Sequence, residues 1–200
     1  LQKPSIGTHL RPNPELIIGL KPDLVIQIAG REEALEPVRF LDNHGVTTAV
    51  FRMDTFADLF SATERLGELT GSATQARTLV HNMQKELDTV QKAWPEHKPR
   101  IFFEARYPNL LAAGGSSFTT EIITRAGGLN AVSASDKLVR LNEEEVLRLG
   151  PDIYLIQQGP MNPTPQPLAE REHFKTLACL RTGQVHTVVQ QLFSRPGPRS

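Results

Sequence analysis

The segment NPELIIGLKPDLVIQ, residues 13–27, is nearly repeated without a gap as NEEEVLRLGPDIYLIQ at residues 142–157. The identical positions are Asn13 and Asn142, Glu15 and Glu144, Leu20 and Leu149, Pro22 and Pro151, and Asp23 and Asp152. Each copy starts with an asparagine that suits a helix N-cap and continues with apolar residues at helical spacing. Pro-Asp and a short apolar run follow, so both copies predict a helix, a tight turn and a buried strand. These elements make half of a Rossmann-like unit, which indicates duplicated lobes.

The composition is that of a folded domain with balanced charge. The 200 residues include 22 basic and 22 acidic side chains, so no overall field attracts nucleic acid or an anionic membrane. No apolar run approaches the roughly 20 residues that span a bilayer. Cys179 is the only cysteine, and the histidines lack metal-ligand spacing. We therefore predict no disulfide, no metal site, no resident cofactor and no nucleic-acid partner.

One long helix pattern separates two stretches in which helices and strands alternate. Apolar residues recur every three or four positions from Ser72 to about Trp94, which predicts a helix roughly 35 Å long. We therefore predict an α/β protein of two Rossmann-like lobes joined by a rigid helix. The predicted N-terminal lobe is residues 1–71, the linking helix is residues 72–96, and the C-terminal lobe is residues 97–200.

Four segments in register resemble one family of binding proteins. They are NPELIIGLKPDLVI, AAGGSSFTTEIITRAGGLNAV, LNEEEVLRLGPDIYLI and LFSRPGPR. Together they resemble the helical-backbone, or class III, periplasmic binding proteins, which are substrate-binding components of ABC importers for ferric siderophores, haem and vitamin B12. The resemblance implies a capture protein rather than an enzyme. It also implies a ligand held between the lobes, a membrane permease as partner, and a periplasmic or otherwise extracytoplasmic location.

The resemblance further implies that this chain is truncated at both ends. Family members have a strand and a helix ahead of SIGTHL and usually a helix after RPGPR. We therefore expect an incomplete first lobe, and a signal or lipid anchor that is missing from this chain. An uncovered sheet edge is a site of strand pairing between molecules, so we expect the fragment to self-associate there.

Several positions are expected to contact the ligand. Arg106 and Tyr107 follow the strand IFFEA, at a carboxyl end where open α/β sheets gather ligands. Arg11 suits a ligand carboxylate through paired hydrogen bonds, and Arg195 matches a family arginine that reaches the ligand. The predicted ligand-binding residues are His9, Arg11, Ile28, Arg106, Tyr107, Leu111, Leu138, Gln158, Gln191 and Arg195. These residues also have structural interpretations, such as a solvated turn or a brace, and the sequence leaves both open.

The residue types favour an anionic chelate. The vitamin B12 binder surrounds its corrin with aromatic side chains, whereas the matching positions here are His9, Ile28, Ala105, Leu111 and Leu138. We therefore favour a ferric siderophore or haem over cobalamin. Tyr107 either stacks on a flat ligand or ligates iron, and Met161 lies where it can edge the cleft.

Glu15 and Glu144 occupy the same position in the two copies of the repeat. Carboxylates in a first helical turn are stabilised by the helix dipole. In the vitamin B12 member, glutamates at these motif positions pair with permease arginines. We therefore predict that Glu15 and Glu144 also dock on the permease, since exposed charges set orientation and association rate.

Two other classes of function remain as alternatives. One is a ligand sensor that shares the fold without transport, and the other is a nitrogenase-like or cofactor-modifying enzyme on a two-lobed α/β fold. Such an enzyme normally shows clustered cysteines or a phosphate loop. The chain has one cysteine, and AAGGSS lacks the lysine of a phosphate-binding loop. The importer interpretation is therefore favoured.

Overall fold

The computed structural model describes residues 3–8, 11–28 and 35–199, apart from the side chains of residues 8 and 11. Two compact units divide the chain, Leu1–Met53 and Asp54–Ser200. Each unit has its own β-structure and its own buried side chains.

The unit Leu1–Met53 contains two helices and two small sheets in its described part. Its elements are β1 (Gly7–Thr8), β2 (Arg11–Pro12), α1 (Pro14–Gly19), β3 (Val25–Ile28), α2 (Glu36–Asn43) and β4 (Thr48–Phe51). β1 and β2 are antiparallel, whereas β3 and β4 are parallel. Ile17 of α1 and Val38 and Leu41 of α2 are buried, so the helices supply most of this unit's buried apolar side chains.

The unit Asp54–Ser200 is built on a mixed sheet. Its elements are α3 (Phe56–Leu69), α4 (Ala73–Lys92), β5 (Arg100–Arg106), β6 (Leu111–Ala113), α5 (Phe118–Arg125), β7 (Leu129–Asn130), β8 (Leu138–Arg140), α6 (Glu143–Leu149), β9 (Ile153–Gln158), α7 (Ala178–Arg181), β10 (Val185–Val189) and α8 (Gln190–Phe193). Short 3-10 turns span Leu168–Glu170 and Glu172–Thr176. The strand order is β10-β9-β5-β6-β8, and β7 pairs with the start of β5.

The central strand β5 is buried on both faces. Phe102 packs in a core with Tyr154 and Val146 on one face of the sheet. Phe103 packs with Ile123 on the other face. This alternation follows from the two-residue period of a strand, and burial on both faces explains why RIFFEA is almost continuously apolar.

Helices α3 and α4 form a tightly packed hairpin. A Cβ atom added at Gly67 of α3 would lie 2.3 Å from the Cβ atom of Ala76 in α4, so glycine is what allows this close approach. The indole Nε1 of Trp94 donates to the carbonyl of Arg125 at 2.8 Å and fixes the chain after α4 beside the end of α5. The predicted long helix is confirmed as α4, whose 20 residues extend over about 30 Å.

The compact units divide at a different place from the predicted lobes. Because α3 packs along α4, both helices belong to the unit Asp54–Ser200, whereas the predicted first lobe continued to residue 71. The role of α4 as a link between lobes stays a prediction.

The repeated segments form the same local structure. The side chain of Asn13 accepts a hydrogen bond from the Leu16 amide at 3.1 Å, and that of Asn142 accepts one from the Glu145 amide at 2.8 Å. Helix α1 leads into β3, and α6 leads into β9, each a strand with a parallel neighbour. The two helices are therefore begun by the same asparagine cap and followed by equivalent strands.

Candidate functional site

An open basin of about 550 Å³ lies at the carboxyl end of β5. Arg106 and Tyr107 come from the end of that strand, and Arg140 comes from the end of β8. Met161 and Asn162 form the opposite wall, in the loop after β9. The basin therefore joins three segments that are distant in sequence but adjacent at one edge of the sheet.

Arg106 and Arg140 lie in one row across three strands. Arg106 pairs with Leu111 of β6, and Leu111 pairs with Arg140. Paired residues of antiparallel strands project from the same face, and strands are about 4.8 Å apart, so the two arginine backbones are about 10 Å apart. The basin is thus lined by two arginines whose strands, β5 and β8, are separated by β6.

A β-bulge aims Arg106 into this row. The register between β5 and β6 shifts between Glu104 and Arg106, so two steps along β5 match one step along β6. An extra residue of this kind reverses the alternation of side chains beyond it. Glu104 is fully buried, whereas Arg106, two residues farther along, lines the basin.

The Arg106 side chain has an unused donor. Its Nε atom is buried and has no hydrogen-bond partner among the described residues. Buried polar atoms are almost always paired in folded proteins, so an unpaired one at a concave surface indicates a place for a ligand. A guanidinium prefers carboxylate and similar oxyanions, which it binds with two parallel hydrogen bonds.

Tyr107 is held at both its hydroxyl and its ring. The hydroxyl donates to Oε1 of Glu143 at 2.7 Å, and the ring lies 3.8 Å from the guanidinium carbon of Arg171. The hydrogen bond to Glu143, together with burial, raises the pKa of the Tyr107 phenol above its usual value. Tyr107 is therefore a neutral, fixed wall of the basin at physiological pH.

A buried ion pair lies behind this wall. Nη1 and Nη2 of Arg171 donate to the two carboxylate oxygens of Glu104 at 2.5 Å and 2.9 Å. The hydroxyl of Tyr154 donates to the same carboxylate at 2.7 Å. Burial acts to lower the pKa of Arg171, but Glu104 outweighs it, and the pKa lies above the usual value. Both partners are charged and geometrically matched, which a buried pair requires.

The basin brings together some of the residues predicted to bind ligand. Arg106 and Tyr107 line it, as does Met161. The predicted residues outside its lining in this unit are Leu111, Leu138, Gln158, Gln191 and Arg195. Leu138 begins the strand that Arg140 ends, Gln158 ends β9, and Gln191 lies in α8 just before Arg195. Their contact with a ligand stays a prediction.

The three remaining predicted ligand positions belong to the other unit. His9 and the side chain of Arg11 lie outside the described residues. Ile28 ends β3, and 55% of its surface is exposed. A hollow of about 510 Å³ in the same unit is lined by Glu15, Asn13 and Phe40, beside the start of α1.

Arg140 and the Glu104–Arg171 pair were not anticipated from the sequence. Arg140 lies in the short segment KLVRL, and only its pairing with β6 brings it to the basin. A signal for the ion pair was present, because a carboxylate within the apolar run IFFEA needs a buried partner. The partner is 67 residues away and carries no local pattern of its own.

Glu15 and Glu144 are equivalent in the structure as well as in sequence. Each is the second residue of an asparagine-capped helix, and each is exposed. Both are therefore accessible and close to the positive end of a helix dipole. Their predicted contact with a permease stays a prediction.

The described residues contain neither a membrane-spanning helix nor a cluster of metal-ligating side chains. No helix among them combines the length and the apolar character of a bilayer-spanning segment. Within the same residues, histidine, cysteine and carboxylate side chains do not gather in threes as a metal site would require.

A family model described as "Periplasmic binding protein" matches residues 1–192. The chain belongs to the periplasmic binding protein family. The resemblance found in the four sequence segments is thereby confirmed. The α/β, class III periplasmic binding protein fold is confirmed as well, because the haem-binding protein BhuT, solved with two haems, shares it with a TM-score of 0.82 over 98% of this chain and 77% of its own, at 21% identity.

Curated relatives of this periplasmic binding protein are substrate-binding proteins. The ABC transporter substrate-binding lipoprotein YvrC of Bacillus subtilis, itself uncharacterised, is 24% identical over 94% of this chain and 61% of its own length. The haem uptake protein IsdE of Staphylococcus aureus is 23% identical over 76% of this chain and 53% of its own length. The chain therefore spans between about half and three fifths of these relatives.

Proposed function

We propose that this periplasmic binding protein is the capture component of an ABC importer and binds an anionic iron chelate, with haem and ferric siderophores as the ligand class. The observation that carries the proposal is the pair of arginines, Arg106 and Arg140, that line the basin from β5 and β8. IsdE and BhuT are named for haem, so haem is the first ligand to test.

The chemistry of the basin suits a ligand that is acidic at one edge and apolar elsewhere. Two guanidinium groups can each take a carboxylate or a comparable oxyanion through paired hydrogen bonds. Met161 and Pro108 offer apolar contact beside them. Haem carries two carboxylates on a flat apolar ring, whereas cobalamin presents mainly neutral amides, so the basin favours the former.

Titration with haem, a ferric catecholate siderophore and cobalamin tests this proposal. We expect haem or the ferric catecholate siderophore to bind saturably, as measured by absorbance or calorimetry. Arg106→Gln with Arg140→Gln should weaken that binding at least tenfold, because each charged hydrogen bond contributes about 1.5–3 kcal/mol. Arg148→Gln is the matched control, since Arg148 is an exposed arginine in the last turn of α6. Absence of saturable binding to either iron chelate would contradict the proposal.

The same proposal assigns Glu15 and Glu144 to permease docking. Their equivalent exposed positions in the two repeats support this role. Glu15→Gln with Glu144→Gln should reduce stimulation of the permease ATPase while leaving chelate affinity unchanged, because rim charges mainly set orientation and association rate. Glu64→Gln with Glu86→Gln, on the exposed surfaces of α3 and α4, is the charge-matched control. Unchanged stimulation by the first variant would rule out the docking role.

A further inference from the structure

A buried ion pair lies next to the Tyr107 wall of the basin. Glu104 is fully buried near the carboxyl end of the central strand, and the Arg171 side chain is 1% exposed. The two side chains share a paired hydrogen bond, and Tyr154 supplies a third donor to the carboxylate. Within the part of the chain that the structure describes, the carboxylate is bonded by two buried side chains, Arg171 and Tyr154.

Arg171 also contacts the Tyr107 wall and the loop that carries the other wall. Its guanidinium lies against the ring of Tyr107, which forms one wall. Its Nε and Nη2 atoms donate to the carbonyl oxygen of Gln166 at 3.2 Å and 2.7 Å. Gln166 belongs to the same loop as Met161 and Asn162, which form the opposite wall. One planar group thus links the buried carboxylate of Glu104, the Tyr107 wall and the loop that continues from the Met161–Asn162 wall.

We propose that Arg171 is the positioning residue of the basin and sets the spacing between the Tyr107 wall and the Met161–Asn162 wall. This inference rests on the proposed function only for the identity of the ligand. Pairing of β5 with β9 brings the two walls together, and Gln157 bonds to both Ala105 and Asn162. Arg171 adds a second link farther along the loop, from the Tyr107 ring to the carbonyl of Gln166. The rigid guanidinium fixes this second link, because its donors point in set directions.

A purely structural role makes a different prediction. Buried ion pairs contribute little net stability compared with apolar side chains that fill the same space. If Arg171 only supported the core, an apolar replacement of the whole cluster would preserve the basin. If Arg171 positions the walls, the same replacement leaves the protein folded but makes the two wall segments more mobile. Lysine keeps the charge but lacks the planar fork, so it should also loosen them.

The test compares Arg171→Lys and the apolar triple variant Glu104→Leu, Tyr154→Phe, Arg171→Met with a control. Ile123→Ala is the control, because it truncates the core on the opposite face of the sheet. Amide hydrogen exchange without ligand is measured for peptides 105–112 and 159–166, and hemin affinity is measured by absorbance titration. Unfolding by denaturant gives the free energy of unfolding of each variant. Exchange and affinity are then compared under conditions in which the variants have the same free energy of unfolding.

We expect both Arg171 variants to raise exchange in the two wall peptides and to weaken hemin binding, each by about tenfold relative to the control at matched stability. Exchange in both peptides equal to that of Ile123→Ala would overturn the inference, whatever the ligand. Native hemin affinity in the triple variant would overturn it as well. If Arg171→Lys does not fold, the triple variant decides alone. If the unmodified chain fails to bind hemin, the proposed ligand is contradicted, and the exchange comparison still decides the role of Arg171.

Discussion

Tyr107 shows how one hydrogen bond limits the chemistry of a side chain. Its hydroxyl donates to Glu143, and this bond and burial raise the pKa of the phenol. Tyrosine ligates haem iron by its oxygen, and that oxygen is here engaged with a carboxylate. Of the two roles that the sequence left open, contact with the face of a ligand therefore fits the geometry better than iron ligation.

We predict that Tyr107→Phe leaves the absorption spectrum of a bound iron chelate unchanged, because the ring remains and no iron ligand is lost. The free energy of unfolding should fall by about 1 kcal/mol at neutral pH through loss of the hydrogen bond. The folded-state pKa is raised, so this contribution is present below the ordinary tyrosine pKa and is lost as pH rises through the folded value. Denaturant unfolding from pH 7 to 11 checks this, and a shifted spectrum would contradict the first expectation.

At one position after the repeated helices, different residues adopt the same backbone conformation. Lys21 and Gly150 follow the last turns of α1 and α6, and both are left-handed, with φ of 49° and 54°. This conformation costs an L-residue about 1–2 kcal/mol, whereas glycine adopts it without strain. Lys21 thus carries a local strain that its counterpart avoids.

We predict that Lys21→Gly stabilises the protein by about 0.5 kcal/mol, since relief of strain exceeds the entropy that glycine adds to the unfolded chain. Gly150→Ala should destabilise it by about 1 kcal/mol. Chemical denaturation of both variants measures the difference. The interpretation would be wrong if the two substitutions changed stability in the same direction.

The hairpin of α3 and α4 depends on a single small residue. We predict that Gly67→Ala costs about 1–3 kcal/mol, because the added methyl group overlaps Ala76. Gly19→Ala is the control, since a Cβ atom there meets nothing within 4 Å. The double variant Gly67→Ala, Ala76→Gly should recover part of the loss. Thermal unfolding checks all three, and no recovery in the double variant would argue against direct contact.

The elements that could be predicted from sequence are those fixed by neighbouring residues. Asparagine caps, helical spacing and Pro-Asp turns act within a few positions, so the repeated unit and α4 were recognised. Arg140 and the Glu104–Arg171 pair depend on strands and loops that meet only after folding. Arg106, Tyr107 and Met161 were therefore predictable as basin residues, whereas the second cation, Arg140, was not.

At the scale of the whole molecule, apolar side chains remain exposed in the unit Leu1–Met53. Ile26 and Ile28 point from the same face of β3 and are 48% and 55% exposed. The sheet of β3 and β4 has two strands in the described residues. Exposed apolar side chains on a short sheet favour pairing with another molecule.

We predict that the chain self-associates as its concentration rises, and that Ile26→Lys with Ile28→Lys suppresses this association. The added charges repel one another and discourage strand pairing. Leu129→Lys, which places a charge on an equally exposed residue of the other unit, is the control. Sedimentation velocity measures the change, and a monomer at every concentration would contradict the prediction.

Because of the bulge, the number of residues in β5 decides which side chains line the basin. Arg106 joins Leu111 and Arg140 because one extra backbone residue separates it from Glu104. Deleting that residue would restore the regular alternation of side chains in β5. The Arg106 side chain would then turn away from the basin, and the side chain of an adjacent residue would face the basin instead. Under the proposed function, ligand preference would therefore change through insertion or deletion of a single residue, a route that scanning by point substitution never samples.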